Sequence, residues 1–161
     1  RPTVLPAREA AREAERKHRG RQSVFCGAAI ALENGRVITG RNSALLYATS
    51  AAILNAVKTL AKIPDKIPLL PASVIKNLVS LKKDILEMKS ESLDLEETLI
   101  ALSISAAVNP AAEETLARLK NLRGCDLHMT HIPSPGDEEG LRKLGINATT
   151  DAIPTSRYFL R

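Results

Sequence analysis

The stretch Val24-Phe25-Cys26-Gly27-Ala28-Ala29-Ile30-Ala31-Leu32-Glu33-Asn34-Gly35-Arg36-Val37-Ile38-Thr39 decides the fold. Its first nine residues form a short, nearly continuous apolar run, the pattern of a strand buried on both faces. Asn34-Gly35 follows, the strongest short hairpin signal, because both central positions of the favoured turn need positive φ. Val37-Ile38-Thr39 then reads as the returning strand. Gly40 and Asn42 are expected to end it, and Ser43 to cap the next helix. Residues 44–61 are apolar on most faces, so that helix belongs between layers.

Outward from this hairpin the chain reads mostly as helix. Residues 6–19 are strong helix formers, with Pro6 in the first turn and Gly20 at the end. Glu13–Lys17 and Glu15–Arg19 are i,i+4 pairs of the favourable orientation. The apolar side of this helix is mostly alanine, so it is expected to bury little and to serve as a connector or arm. Residues 62–71 contain Pro64, Pro68 and Pro71 and read as a loop. Residues 72–89 are amphipathic at helical spacing. Asp94 and Glu97 have the spacing of a capping box and open a very apolar helix that ends near Val108. Asn109-Pro110 caps and starts another, stopped by Gly124. Residues 125–132 read as a strand, Pro133-Ser134-Pro135-Gly136 as a turn, 137–144 as a short helix closed by Gly145, and 146–152 as a last strand. Strand, helix and strand in that order point to a parallel crossover.

Composition narrows the function classes. The chain has 161 residues, the size of one domain. Aromatic residues make up only 2%, so the core is built from Leu, Ile, Val and Ala. The net charge is +5, yet residues 1–23 carry seven basic against three acidic side chains, leaving +1 for the rest. A basic excess on one terminal segment, with almost no aromatics to stack on bases, argues against a nucleic-acid-binding domain. Cys26 and Cys125 show neither disulfide nor metal spacing, so free thiols in a reducing cytoplasm are expected. No apolar leader is visible, and the uncharged run 42–57 is too short to span a bilayer. The expectation is therefore a cytoplasmic fragment of a longer protein, with no membrane partner.

Three segments, Phe25–Gly35 with Val37–Ser43, Asp94–Ala107 and Gly124–Pro133, together resemble the C-terminal part of a bacterial family called domain of unknown function eighteen forty-six. The resemblance runs in order from about Val4 onward. Members are longer than this chain, so it implies further N-terminal domains as partners, and it brings no established activity.

A more distant resemblance links the hairpin, the Thr39-Gly40-Arg41-Asn42 stretch and the buried helix to the start of cytidine deaminases. That family implies a three-layer α-β-α fold with a mixed sheet, here with a helical insertion. It also implies zinc held by a His or Cys at the start of the buried helix and by two Cys at a later helix start, with a glutamate that moves protons. Tyr47-Ala48-Thr49 falls on the first motif and Pro133-Ser134-Pro135-Gly136-Asp137 on the second. Tyr47 and Ser134 are not zinc ligands, Thr49 stands where the glutamate would be, and Asp137 alone is an ordinary ligand. Asn42 matches a ribose-contacting Asn, whereas Ala44 replaces the Glu two residues on. The metal chemistry is thus expected to be absent.

The remaining constellations are weak. His128 and His131 lie an odd number of residues apart on an expected strand and point to opposite faces, so they cannot chelate one metal. His131 near Asp137 would make a small polar site at the turn. Ser73-x-x-Lys76 fits a penicillin-recognising nucleophile pattern without its companion motifs, and Ser73 serves equally as a helix cap. The 133–137 loop lies at a strand-to-helix turn, where free N–H groups favour anions, but capping by Ser134 and Asp137 explains the same residues.

The sequence therefore predicts an α/β, three-layer domain: a basic linker helix (1–23), a first half (24–61), a helical insertion (62–123) and a second half with a tail (124–161). The candidate pocket comprises Asn42, Tyr47, Thr49, His131, Ser134 and Asp137. No residue is given a catalytic or metal-binding role, and no cofactor is expected. The leading expectation is a non-catalytic structural or small-ligand-binding module packed on the rest of a larger protein. A metal-free enzyme for a nucleotide-like or other anionic molecule is the alternative, and a basic arm for nucleic acid the third. A homo-oligomer is left open.

Overall fold

In a computed structural model, which describes residues 1–18 and 24–152, the chain forms a three-layer α/β domain around a four-stranded mixed sheet. The elements in order are α1 (Val4–Arg16), β1 (Gly27–Ala31), β2 (Val37–Arg41), α2 (Ala48–Leu60), α3 (Ala72–Ser80), α4 (Leu95–Ala106), α5 (Pro110–Ala117), β3 (Asp126–Met129), α6 (Pro135–Leu144) and β4 (Asn147–Thr150). The strand order is β2-β1-β3-β4. β1 is antiparallel to both neighbours, with Ile30 opposite Ile38 and Leu127. β3 and β4 are parallel, joined through α6 as the crossover reading expects.

The hairpin forms on Asn34-Gly35: Gly35 has φ +87°, and Leu32 N–H donates to Arg36 O at 2.8 Å. Ala28, Ile30, Leu127 and Met129 face α2 and α6 and form the main core with Ile53, Val57, Leu95 and Leu141. A smaller cluster of Leu54, Leu69, Leu102 and Ala112 joins α2 to α4 and α5.

Two expectations at the hairpin are corrected. Gly40 does not end the second strand; it lies inside β2, opposite Ala28. A Cβ at Gly40 would come within 2.2 Å of the Ala52 nitrogen, so the glycine is there to let α2 lie directly on the strand backbone. The helix starts at Ala48 rather than residue 44, because Ser43 closes a local turn, its Oγ accepting from Leu45 and Leu46 N–H at 3.2 Å. Leu45–Tyr47 is held instead by backbone bonds to Leu93.

The N-terminal helix is also more than a connector. Ala7, Ala10 and Ala14 are buried, and a Cβ at Gly27 would meet the Ala7 carbonyl oxygen at 2.1 Å. Alanine buries little area, but it allows helix and strand to approach at backbone distance. α1 is thus the layer on the opposite face of the sheet from α2. The Glu13–Lys17 pair forms at 2.8 Å, and Arg8 makes a bidentate bond to Asp151 at 2.8 and 3.0 Å. Arg19, Gly20 and the tail from residue 153 lie outside the described residues.

Residues 62–123 follow their main capping signals, although α3 begins after Pro71 with no side-chain cap, not at Ser73. Asp94 Oδ1 accepts from Glu97 N–H at 2.9 Å while Glu97 Oε1 accepts from Asp94 N–H at 3.0 Å, a complete capping box. Asn109 caps α5 through Ala111 N–H at 3.1 Å. α3 runs into one wide turn, Leu81–Ile85, where Leu86 N–H reaches back to Leu81 O. Lys82 in that turn is buried, its Nζ donating to Ser92 O at 2.6 Å and to Glu97 at 2.7 Å.

Gly40→Ala is expected to lower the unfolding free energy by about 2 kcal/mol or more, since backbone atoms rather than a flexible side chain must move. Gly35→Ala, strained at positive φ but in open space, should cost only roughly 1 kcal/mol. Urea unfolding followed by circular dichroism checks both values and their order.

Candidate functional site

Because β2 and β3 are parallel to each other across β1, the chain leaves both at the same end of the sheet. α2 and α6 therefore start at that end. A third helix start joins them, because the capping box of α4 lies against the first turn of α6. A Cβ at Gly136 would meet the Asp94 carboxylate oxygen Oδ2 at 2.1 Å. Helix starts carry free N–H groups and a partial positive charge, so buried ones must find acceptors.

Asp137 is one of those acceptors. It was expected to cap its own helix, but Ser134 does that, with Oγ accepting from Asp137 N–H at 3.2 Å. The Asp137 side chain crosses to the insertion, where Oδ1 accepts from Leu95 N–H at 2.8 Å. Asp137 is fully buried. Burial raises its pKa to about 7; the Leu95 N–H bond works against the rise, and the charges of Asp94 and Glu97 add to it. Burial likewise holds the Asp94 carboxyl above its usual range.

The other sequence candidates divide into two groups. Asn42 is fully committed to the backbone, accepting from Cys26 N–H at 2.8 Å and donating to Val24 O at 2.9 Å. It prolongs the β1–β2 pairing and is buried. Tyr47 is the residue before α2, half-buried, and its N–H donates to Leu93 O at 3.1 Å. Its phenol pKa is raised by burial and by the charges of Asp137, Asp94 and Glu97, so it belongs to the same electrostatic neighbourhood.

Thr49 and His131 are buried beyond contact with solvent. Thr49 Oγ1, Thr98 Oγ1, both ring nitrogens of His131 and Asp137 Oδ2 have no hydrogen-bond partner among the described residues. No hydrogen bond therefore joins His131 to Asp137. Burial alone lowers the His131 pKa to about 4. Cys26 lies near enough to feel the Asp137 charge, but chiefly burial raises its thiol to about 12, which makes it inert.

His128 belongs elsewhere. On the α1 side of the sheet its Nδ1 pairs with Thr149 Oγ1 at 2.7 Å and its Nε2 with Asp151 Oδ1 at 3.2 Å. The two histidines do not share a site, but not through strand alternation: β3 ends at Met129 rather than residue 132, and His131 lies in the bend beyond it.

Zinc does not fit the aligned positions. Tyr47, Thr49 and Ser134 are poor ligands, and one Asp137 oxygen is taken by Leu95 N–H. Among the described residues no three His, Cys, Asp or Glu side chains gather as a metal site. A cavity of about 480 Å³ lies between α6 and β4, lined by Met129, Ile132, Leu141 and Ile146 among others, and none of the six candidates borders it.

The segment that sequence reasoning missed is Leu93-Asp94-Leu95. Leu93 and Leu95 are fully buried. Leu93 N–H donates to Leu45 O at 2.8 Å, and its carbonyl accepts from Tyr47 N–H and from Ser50 Oγ at 3.0 Å. The segment thereby joins the start of α2 to the start of α6. The capping box announced a helix start here, but nothing local announced its partners, 42 and 43 residues away.

The model of the family described as "Domain of unknown function DUF1846, C-terminal" matches residues 1–159. The chain belongs to this family. A UPF0371 protein of Clostridium tetani is 44% identical over 151 residues, covering 94% of this chain and 30% of that protein. One from Clostridium botulinum is 45% identical over 162 residues, 99% of this chain and 32% of its own. One from Fusobacterium nucleatum is 41% identical over 140 residues, 86% and 28%. The chain thus spans about a third of the length of the curated relatives it matches. No described helix of this DUF1846 C-terminal domain is long and apolar enough to cross a membrane.

The two shifted buried groups of the domain act on its stability in opposite directions. Asp137 takes up a proton on folding between its ordinary value of 3.8 and about 7, so its contribution is full at low pH and is lost as pH rises. His131 gives one up between 6.5 and about 4, so its penalty grows as pH falls. Wild type should therefore lose stability relative to Asp137→Asn as pH rises from 4 to 7, by at most about 1.4 kcal/mol per pH unit. The difference between wild type and His131→Leu should move the other way from pH 4 to 6.5. Urea unfolding in half-unit pH steps reads both.

Proposed function

We propose that this domain is a zinc-less, deaminase-like module that serves a longer bacterial polypeptide by structure rather than by chemistry. The observation that carries this reading is the placement of Leu93–Leu95 between the starts of α2 and α6. A deaminase-like site would need side chains at those two helix starts that are free to meet a substrate. Here the carbonyl of Leu93 takes the Ser50 hydroxyl together with the Tyr47 backbone N–H, and the N–H of Leu95 takes one of the two Asp137 oxygens. Support for the deaminase-like part comes from the order of elements: hairpin, buried helix, then strand, turn and helix in one mixed sheet.

One observation favours a second reading. Buried polar atoms are rarely left unpaired, and five of them occur on Thr49, Thr98, His131 and Asp137. A small polar or anionic molecule enclosed among these side chains would give them partners.

A thermal-shift series on the full-length protein with Zn²⁺, nucleosides, nucleotides and sugar phosphates separates the two. A ligand at 100 times its Kd adds about 2.7 kcal/mol to stability, an easily measured shift. The structural reading expects no shift that depends on Asp137. A shift present in the wild type and lost in Asp137→Asn, with the variant still folded by circular dichroism at the assay pH, would overturn it and establish the enclosed-ligand reading.

A further inference from the structure

α4 is apolar on both sides. Its inner side, Leu95, Thr98, Ala101, Leu102 and Ser105, is buried against the rest of the domain. Its outer side carries Ile100, exposed to 58%, and Ile104, exposed to 52%, one turn apart, and Val108 just beyond the helix is exposed to 83%. From Thr98 to Ala112 the chain holds no charged residue. A helix that faces water normally carries charge on that side, and one that is apolar all round is normally covered all round.

Scattered exposed apolar residues need no explanation, but a stripe does. Ile100 and Ile104 are four residues apart, so they lie on one side of the helix about 6 Å apart along its axis, with Val108 just past its end. The turn after α3 lies beside it, tied to α4 by Lys82 and Glu97, and exposes Ile85 to 71%. The three-layer core is complete without this side, so nothing within the described residues has a reason to cover it. The curated relatives, meanwhile, carry about two thirds of their length outside the matched region.

We infer that the outer side of α4, centred on Ile100 and Ile104, is the surface on which this domain docks against the remainder of its own polypeptide. The inference deepens the structural-module reading and rests on it. Its test probes a different surface, however, so the two fail separately: ligand binding at Asp137 would leave this docking intact, and a free α4 side would leave the closed helix junction intact.

The test uses the full-length protein carrying Ile104→Cys, with the modified peptide identified by mass spectrometry. Cys26 and Cys125 are both buried in this domain and serve as internal references. Docking onto the same polypeptide predicts that Cys at 104 reacts with a thiol reagent about tenfold or more slowly than in the unfolded variant, because covered thiols are shielded. The protection must also persist unchanged on dilution through the range where size-exclusion chromatography shows monomer. A smaller ratio overturns the inference, since the helix side is then open to solvent. Protection that disappears on dilution overturns it too, in favour of a second copy of the protein as the occupant.

Discussion

The bond from Leu95 N–H to the buried carboxyl of Asp137 spans 42 residues and ties the start of α4 to the start of α6. One partner opens the helical insertion and the other opens the last helix of the sheet domain. Helix starts leave N–H groups without internal partners, and in a water-free interior each must be met by an acceptor. Here three helix starts converge, and Asp94, Glu97, Asp137 and the carbonyl of Leu93 meet them. The insertion is therefore bonded into the α/β body rather than laid upon it. The electrostatic character of the interior follows: a carboxyl placed among other carboxyls and cut off from water holds its proton to about pH 7.

The second constraint is steric and comes from small residues. With only four aromatic side chains in 161 residues, the domain gains little from bulky packing. It brings backbones close instead. Gly27 admits α1 on one face of the hairpin and Gly40 admits α2 on the other. The facing helices carry alanine at the contacts, with Ala7, Ala10, Ala48, Ala52 and Ala56 buried. Close approach of this kind tolerates no added methyl group, because the atoms in the way belong to backbone.

Catalysis at the head of a sheet needs polar groups held in place yet left with unused bonding capacity facing a substrate. In this domain part of that capacity is taken by the chain itself, Asn42 by Val24 and Cys26, Ser134 by its own helix and one Asp137 oxygen by Leu95, while Thr49, His131 and the second Asp137 oxygen keep theirs unused among the described residues. The same arrangement leaves α4 with one side spent on the core and an apolar side outward. Burial within the domain and exposure on α4 thus have a common origin in the insertion.

Much of this was legible in the residues alone. The apolar run with Asn34-Gly35 specified the hairpin, Asp94 with Glu97 and Asn109-Pro110 specified the starts of α4 and α5, and Gly145 closed α6 with φ +74°. Each is a local signal, carried by residues within one turn of the place where it acts. What tertiary structure alone decided concerns partners distant in the chain. It decided that Gly40 lies within a strand and under a helix, and that an alanine face covers a sheet. It also set Asp137 on another helix's first N–H and Leu93–Leu95 between the starts of α2 and α6. A side chain's type fixes what it is able to bond, but which donor lies within 3 Å of it depends on how layers stack, and no local pattern encodes a contact across 42 residues.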